Sequence, residues 1–213
     1  MNIVLLGPPG AGKGFQANLI SKKLKIPTIS TGDLLRERIK LGDDDSKILA
    51  SYVNSGELVP DELIGKILKE RVKQADCAKG FILDGFPRSL SQAEILDKLE
   101  IAVDKVIEID VDEEIIIARL KNRIICKKCG AVFNRLFKKP KVEGCCDLCG
   151  GELVARKDDD VATIKNRLQV FNKETKPLVA HYKAKNIYYY LNGNEGSVEV
   201  ERKLLEIIGD VHD

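Results

Sequence analysis

Lys13 closes a glycine-rich turn, and four cysteines further along stand in two pairs at metal-binding spacing. Residues 7–13 read Gly-Pro-Pro-Gly-Ala-Gly-Lys. They fit the first seven positions of the phosphate-loop pattern G-x-x-x-x-G-K-[ST]. Glycines here let backbone N–H groups turn inward around a polyphosphate. The helix that follows points its positive end at the same anion, and Lys13 adds a point charge. The preceding run Ile3-Val4-Leu5-Leu6 has the length and apolarity of a buried parallel strand. A tight strand-to-helix turn with an incidental lysine would not need all three features at these offsets. Gly14 and Phe15 follow Lys13 where a hydroxyl is usual. Mg²⁺ accompanying the phosphates must then be held by the phosphates themselves, by water and by carboxylates elsewhere. The plain alternative for Phe15 is a core-facing residue of the first helical turn.

The second set is Cys126-x-x-Cys129 followed, sixteen residues on, by Cys146-x-x-Cys149. Two such knuckles make a tetrahedral thiolate cage for Zn²⁺. Gly130 and the pair Gly150-Gly151 follow them, which suits tight turns that aim amides at sulfur. A segment this short has too little core to fold alone, so metal can supply folding free energy. Four thiolates leave no open position, so the zinc is expected to be structural. A disulfide pair or a reactive dithiol is the alternative. Cys145 is spare, and Cys77 reads as an ordinary buried thiol.

The third set lies after the other strands. Ser30-Thr31-Gly32-Asp33-Leu34-Leu35-Arg36 puts Thr, Asp and Arg at a strand end and helix start, and Asp84-Gly85-Phe86-Pro87-Arg88 does the same at the end of an apolar run. Ligands of open parallel sheets bind outside the carboxyl ends of the strands. Lys13, Asp33, Asp84 and Arg88 are therefore expected around one crevice. Asp33 could be a helix cap only. Asp84 is harder to dismiss, because a carboxylate ending an apolar strand is costly unless a cation is near.

The elements that must hold these residues alternate. Helical patterns cover about 14–24, 33–41, 60–76 and 89–99. A further helix starts near 112–114, a long one runs over 159–184, and the last covers 197–208. Strand-like runs fall at 28–30, 80–84, 103–111 and 187–191. This alternation predicts an α/β fold, a three-layer parallel sheet covered on both faces. Between 123 and 157 the pattern changes to short β-prone pieces, four glycines and five of the six cysteines. It reads as an inserted small zinc-binding domain.

With 213 residues and 44% hydrophobic content there is enough chain for a real core. Thirty-five basic and 33 acidic residues leave a net charge of +2, which gives no bulk argument for nucleic acid or membrane. No run is long enough to span a bilayer. The first apolar run lacks a preceding basic segment, so no signal peptide is expected. A reducing, cytoplasmic setting follows, in which clustered cysteines bind metal.

Taken in order, GPPGAGKG, STGDLLR, GELVPDELI, GFILDGFPRSLSQAE, the C-x-x-C insert and ARKDDD…RL resemble adenylate kinase, in the long form with a zinc-bearing lid. The resemblance covers essentially the whole chain. It implies a core of 1–29, 60–121 and 160–213, an AMP-binding domain of 30–59 and a lid of 122–159. It implies reversible transfer between MgATP and AMP to give two ADP, by a monomer with no nucleic-acid or membrane partner. ATP would lie against Gly10, Ala11, Gly12, Lys13, Gly14 and Phe15, with Arg119 stacked on its adenine. Arg123, Val132, Phe133 and the backbone at Glu195 would complete that site. AMP would meet Thr31, Arg36, Glu57, Leu58, Val59, Gly85, Phe86, Pro87, Arg88 and Gln92. Arg156 and Arg167 would clamp phosphates, and the catalytic group would be Lys13, Asp84, Arg88, Arg123, Arg156 and Arg167. Phe15 is the departure, since the family has Thr there. Phe133 replaces a usual Tyr.

The chemistry agrees with those roles. Phosphoryl transfer to an anionic phosphate oxygen needs no general base, so catalysis is alignment plus positive charge. A lid that excludes water protects ATP from hydrolysis. Two other classes fit parts of the pattern. One is a kinase for GMP, UMP or CMP. The other is a nucleic-acid-binding ATPase, reading through an insert that carries Lys127, Lys128, Arg135, Lys138, Lys139 and Lys141 with Phe133 and Phe137 between them.

Overall fold

A computed structural model describes residues 1–209. Residues 210–213, the end of the third core segment expected above, lie outside the described residues. Five strands form a wholly parallel sheet: β1 (Asn2–Leu6), β2 (Thr28–Ser30), β3 (Phe81–Asp84), β4 (Lys105–Asp110) and, last in the chain, the strand Tyr188–Asn192. Their order is β2-β3-β1-β4 and then that last strand. Alternate residues of β1 feed opposite faces. Ile3 and Leu5 join the cluster under helices α1 (Lys13–Leu24) and Ser197–Ile208, whereas Val4 and Leu6 join the cluster on the other face. That two-sided burial is why β1 is a continuous apolar run rather than an alternating one.

Along the chain, β2 leads into α2 (Thr31–Ile39), α3 (Asp44–Ser55) and α4 (Asp61–Val72). Then β3 leads into α5 (Leu90–Lys98), and β4 into α6 (Glu113–Lys121). The insert forms a separate antiparallel sheet of β5 (Arg123–Cys126), β6 (Val132–Asn134) and β7 (Leu153–Ala155), with β5 in the middle. It has its own small core of Ile124, Cys126, Phe133 and Cys146. The chain then returns through α7 (Val161–Val170), α8 (Leu178–Ala184), β8 (Tyr188–Asn192) and α9 (Ser197–Ile208).

Three expectations need correction. The residue pattern predicts no helix at 44–55, yet α3 is there. Asp43 caps it by accepting from the Ser46 N–H at 2.9 Å, and Gly56 ends it at φ +80°. Asp33 does not cap α2. Ser30 does, and Asp33 sits in the first turn. The long helix expected over 159–184 is two helices joined by a π turn, Phe171–Thr175. Lys176 N–H reaches back to the Phe171 carbonyl at 2.9 Å, and Pro177 beside it has no N–H to continue the ladder. The turn also frees the Thr175 hydroxyl, which donates to the Arg88 carbonyl at 2.7 Å. Such bulges gather at functional sites.

α9 closes one face of the sheet through Val200, Leu204 and Ile208. Leu204→Ala is expected to lower the unfolding free energy by about 2–5 kcal/mol through a buried cavity. Val198→Ala, on the solvent side of the same helix, should change it by about 0.5 kcal/mol or less. Urea denaturation of both variants measures the difference.

Candidate functional site

The register of the sheet brings three loop starts together. Leu5 pairs with Asp84 and Ser30 pairs with Asp84, so β1, β2 and β3 end side by side. From these ends emerge the Gly7–Lys13 loop, the start of α2 and the Gly85–Arg88 turn. Gly7 is indispensable to the first of these. Its φ is +137°, and a Cβ would stand 2.3 Å from the Ile109 carbonyl oxygen. β4 passes too close for any other residue.

Lys13 folds back into its loop, donating to the carbonyls of Gly7 at 2.7 Å and Pro8 at 2.9 Å. Burial pushes its pKa down to about 8. The Asp84 charge opposes that fall, and Arg88, Arg167 and Arg123 add to it. Asp84 moves the other way. Burial raises its pKa, while Lys13 and Arg88 pull it down. A Cβ on Gly14 would come within 3.0 Å of Asp84 Oδ2, so the missing hydroxyl at position 14 leaves room for that carboxylate. Of the four residues expected around one crevice, Arg88 lines the cleft beside α2, Asp33 and Asp84 line the neighbouring one, and the Lys13 charge acts on Asp84.

On the α2 side the crevice is an open cleft. Of the residues assigned to AMP, Thr31, Arg36, Glu57, Leu58, Val59, Gly85, Phe86, Arg88, Gln92 and Arg167 line it. Pro87 and Arg156 do not. Pro87 lies between two lining residues, and Arg156 reaches the cavity through Asp158, which lines it. Arg88 is held on three sides. Its Nε donates to the Gly85 carbonyl at 2.7 Å, its N–H donates to Gln92 Oε1 at 2.9 Å, and its own carbonyl accepts from Thr175. Thr31 Oγ1 donates to the same Gly85 carbonyl at 2.9 Å. Arg36 pairs with Asp33 at 2.5 Å.

On the phosphate-loop side, Arg119 of α6 lies between the Ala11 carbonyl and the Gly193 carbonyl, at 3.4 Å from each. It thereby bridges the loop to the 3₁₀ turn Gly193–Glu195, whose Glu195 carboxylate is paired with Lys203. Gly10, Ala11 and Gly12 form the loop beneath it. Val132 is exposed, and Phe133 is buried in the insert's core. Phe15 is 42% exposed. The buried face of α1 is Gln16, Ala17 and Ile20, so Phe15 is not the core residue of the alternative reading.

Asp158 and Asp159 escaped the sequence reading, although both stand in the quoted ARKDDD motif. Arg123 binds Asp159 in a fork at 2.7 and 2.5 Å. Arg156 binds Asp158 in a second fork, and Arg167 reaches both carboxylates at 3.3 and 3.5 Å. Burial alone would raise the Asp158 carboxyl, but Arg156 and Arg167 outweigh it and hold it far below the usual range. Burial lowers Arg167 to about 10, with Arg88, Arg123 and Arg156 adding repulsion. The signal was available: three adjacent acids next to a basic motif are unfavourable unless cations surround them.

In the insert, the Sγ atoms of Cys126, Cys129, Cys146 and Cys149 lie within 4.8 Å of one another. The Cys126–Cys149 and Cys129–Cys146 pairs are 3.4 and 3.6 Å apart, and no sulfur is bonded to another. Sulfurs at about 2.3 Å around a tetrahedral ion stand roughly 3.8 Å apart, so the cage fits a metal ion. Each knuckle closes on glycine, with Gly130 N–H donating to the Cys126 carbonyl and Gly150 N–H to the Cys146 carbonyl. A Cβ on Gly151 would stand 2.8 Å from Cys126 Sγ. Cys145 is outside the cluster, and Cys77 is buried beside Arg71, in the core cluster that also holds Val59 and Phe86.

Comparison with known proteins agrees with this geometry. The family model described as Adenylate kinase matches residues 5–187. The chain is 46% identical over 213 residues to the adenylate kinase of Caldicellulosiruptor bescii, covering 98% of this chain and 99% of that one. It is 47% identical over 216 residues to that of Clostridium tetani, covering all of both. It is 46% identical over 212 residues to that of Archaeoglobus fulgidus, covering 98% of each.

The position of Lys13 makes binding pH-dependent. Its buried ammonium loses its proton near pH 8 in the free protein, whereas a bound polyphosphate favours the charged form and raises the pKa. ATP affinity should therefore be flat between about pH 7 and 8 and fall above 8, by at most tenfold per pH unit. Titration calorimetry at pH 8.5 in two buffers of different ionisation enthalpy should find net proton uptake. Uptake of zero, with affinity constant to pH 9.5, would show that Lys13 does not meet the phosphates.

Proposed function

The chain belongs to the adenylate kinase family, and we propose how its own residues perform the reaction. It transfers a phosphoryl group reversibly between ATP and AMP, giving two ADP. In our reading AMP fills the crevice beside α2 and α3, with its phosphate on Arg36 and Arg88 and its base between Val59 and Gln92. MgATP, the form in which ATP enters, lies along the Gly7–Lys13 loop with its base under Arg119. The two sites meet where Lys13, Asp84 and Arg88 face one another. That convergence carries the proposal.

No residue needs to take a proton from the acceptor, because an AMP phosphate oxygen is already anionic. The residues orient and neutralise instead. Lys13 leaves its two loop carbonyls for the donor phosphates. Arg123, Arg156 and Arg167 exchange Asp158 and Asp159 for phosphate oxygens, and an exchange of carboxylate for phosphate needs little reorganisation. Asp84, with no hydroxyl beside it at position 14 or 15, is the carboxylate placed to bind the water shell of the magnesium that ATP brings.

We propose three moving parts: the core of 1–29, 60–121 and 160–213, the AMP-binding domain of 30–59 and the lid of 122–159. The separate sheet and separate core of the insert support the lid. The four thiolates would hold Zn²⁺, which supplies folding free energy there and no chemistry. We read the chain as working in a reducing cytoplasm, where clustered cysteines hold metal. We read it as a monomer that meets neither membrane nor nucleic acid. The nucleic-acid alternative loses support because Lys127 is paired with Glu152 at 2.8 Å and Lys138 lies over phenylalanine rings.

A coupled assay with ATP and each nucleoside monophosphate tests the reading. AMP should be the preferred acceptor. Arg88→Ala should lower turnover by about 10²-fold or more, since its charge is felt mainly in the transition state. Conversion of ATP and AMP no faster than that of Lys13→Ala would overturn the proposal.

Metal analysis should find about one Zn per chain. Chelation or Cys129→Ser should lower the melting temperature while part of the activity survives in the cold. Complete loss of chemistry with an unchanged melting curve would instead mark a catalytic metal.

A further inference from the structure

Phe15 is the one residue of the phosphate-loop segment that breaks the family pattern, and it is also a large exposed hydrophobe beside a highly charged crevice. The lid supplies something to cover it. Lys138 Nζ stands 5.5 Å from the centre of the Phe15 ring and 5.5 Å from the centre of the Phe133 ring. Phe133 is 4% exposed and fixed in the lid's own core. Phe15 is fixed in the first turn of α1. The lysine therefore lies between one ring of the lid and one ring of the core.

The segment that carries Lys138 is preorganised. Asn134 N–H donates to the Lys138 carbonyl at 2.8 Å, and Asn134 Oδ1 accepts from the N–H groups of Leu136 and Phe137. Asn134 Nδ2 donates to the Arg119 carbonyl at 2.8 Å. Among the described residues no carboxylate stands within ion-pair range of Lys138. Its charge is committed to ring faces, which attract a cation through their quadrupole.

We propose that Lys138 and Phe15 are positioning residues. Together with Phe133 they form a cation–π latch that holds the lid against the phosphate-loop helix before nucleotide arrives. The latch would raise the fraction of molecules with a binding-competent lid, and so lower the apparent dissociation constant for ATP. It would also give the ring at position 15 a role that a hydroxyl there could not fill. The inference rests on the lid reading of the insert.

The test measures the lid directly. Dyes coupled through ketone-bearing side chains at exposed positions 142 and 198 spare the cysteines and report the lid-to-core distance. In the nucleotide-free protein, Lys138→Met and Phe15→Leu should each shift the closed-to-open ratio toward open by about three- to tenfold, the scale of one or two exposed cation–ring contacts. The double variant should go little further than either single one, because both remove the same contact. Lys138→Arg and Phe15→Tyr should keep the closed population, since cation and ring persist. KM for ATP should rise in Lys138→Met with kcat held or raised. A rise in KM with an unchanged nucleotide-free distance distribution would make Lys138 a phosphate ligand and overturn the latch, as would multiplicative effects in the double variant. Saturating ADP must shorten the distance in Lys138→Met, whose lid is expected to start open. If it does not, the lid reading fails and the latch with it. If it does while the variants leave the nucleotide-free distribution unmoved, the latch alone fails.

Discussion

Like-charge repulsion inside one crevice governs the rest of this structure. Arg36, Arg88, Arg123, Arg156, Arg167 and Lys13 gather within reach of one another's charge. Two unit charges about 4 Å apart interact by about 4 kcal/mol at an effective dielectric of about 20. Without anions such a cluster would spread or lose protons. Asp33, Asp84, Asp158 and Asp159 are the protein's own anions at that place, and each faces a cation. Six cations meet only four carboxylates, and burial, with smaller contributions from Arg88, Arg167 and Arg123, depresses the pKa of Lys13. The free site keeps an excess of positive charge in a poorly hydrated space, and that stored cost is what an anionic ligand relieves.

The fold can be read as the scaffold for this balance. A parallel sheet ends all its strands at one edge, so β1, β2 and β3 deliver Lys13, the α2 arginine and the Asp84–Arg88 turn within one small volume. Arginines that strands do not deliver arrive from outside the sheet. Arg123 begins β5, Arg156 follows β7, and Arg167 comes from α7. Those elements are tied to the AMP side as well. Asn166 of α7 donates to the Ser55 carbonyl at 2.7 Å and to Glu57 at 2.9 Å, and a Cβ on Gly56 would press on Arg167 at 2.7 Å. The turn after α3 therefore leans directly on α7.

Much of this was legible in the residue pattern, for identifiable reasons. β1 and the loop after it announce themselves because strand, glycines, lysine and helix occur in fixed order, and the cysteine spacing is equally local. α3 was not legible because its start, Gly42-Asp43-Asp44-Asp45, reads as loop, and it buries little beyond Leu49. Its cap and its terminal glycine were the available signals. The break at Phe171–Thr175 was hidden because helical periodicity runs on through it. Pro177 was the local signal, and the freed Thr175 hydroxyl meets the Arg88 loop, 87 residues away in the chain. Asp158 and Asp159 were overlooked for a similar reason. Arg156, two residues from Asp158, was a local signal, but no local spacing encodes the pairing of Asp159 with Arg123, 36 residues away.

Position 15 shows the limit of arguing from a pattern of residue types. Taken alone, a phenylalanine in place of a hydroxyl subtracts a polar contact from the phosphate site. The structure adds a term of the opposite kind, because the ring lies under a lysine from a different part of the chain. A hydroxyl would act on the bound nucleotide, whereas a ring acts on the protein before anything is bound. In the proposed latch, phenylalanine at this position moves free energy from the ligand contact to the conformational equilibrium. A first-turn residue that looks like a defect in one state is a contact in another, and only the arrangement of the insert over α1 distinguishes the two.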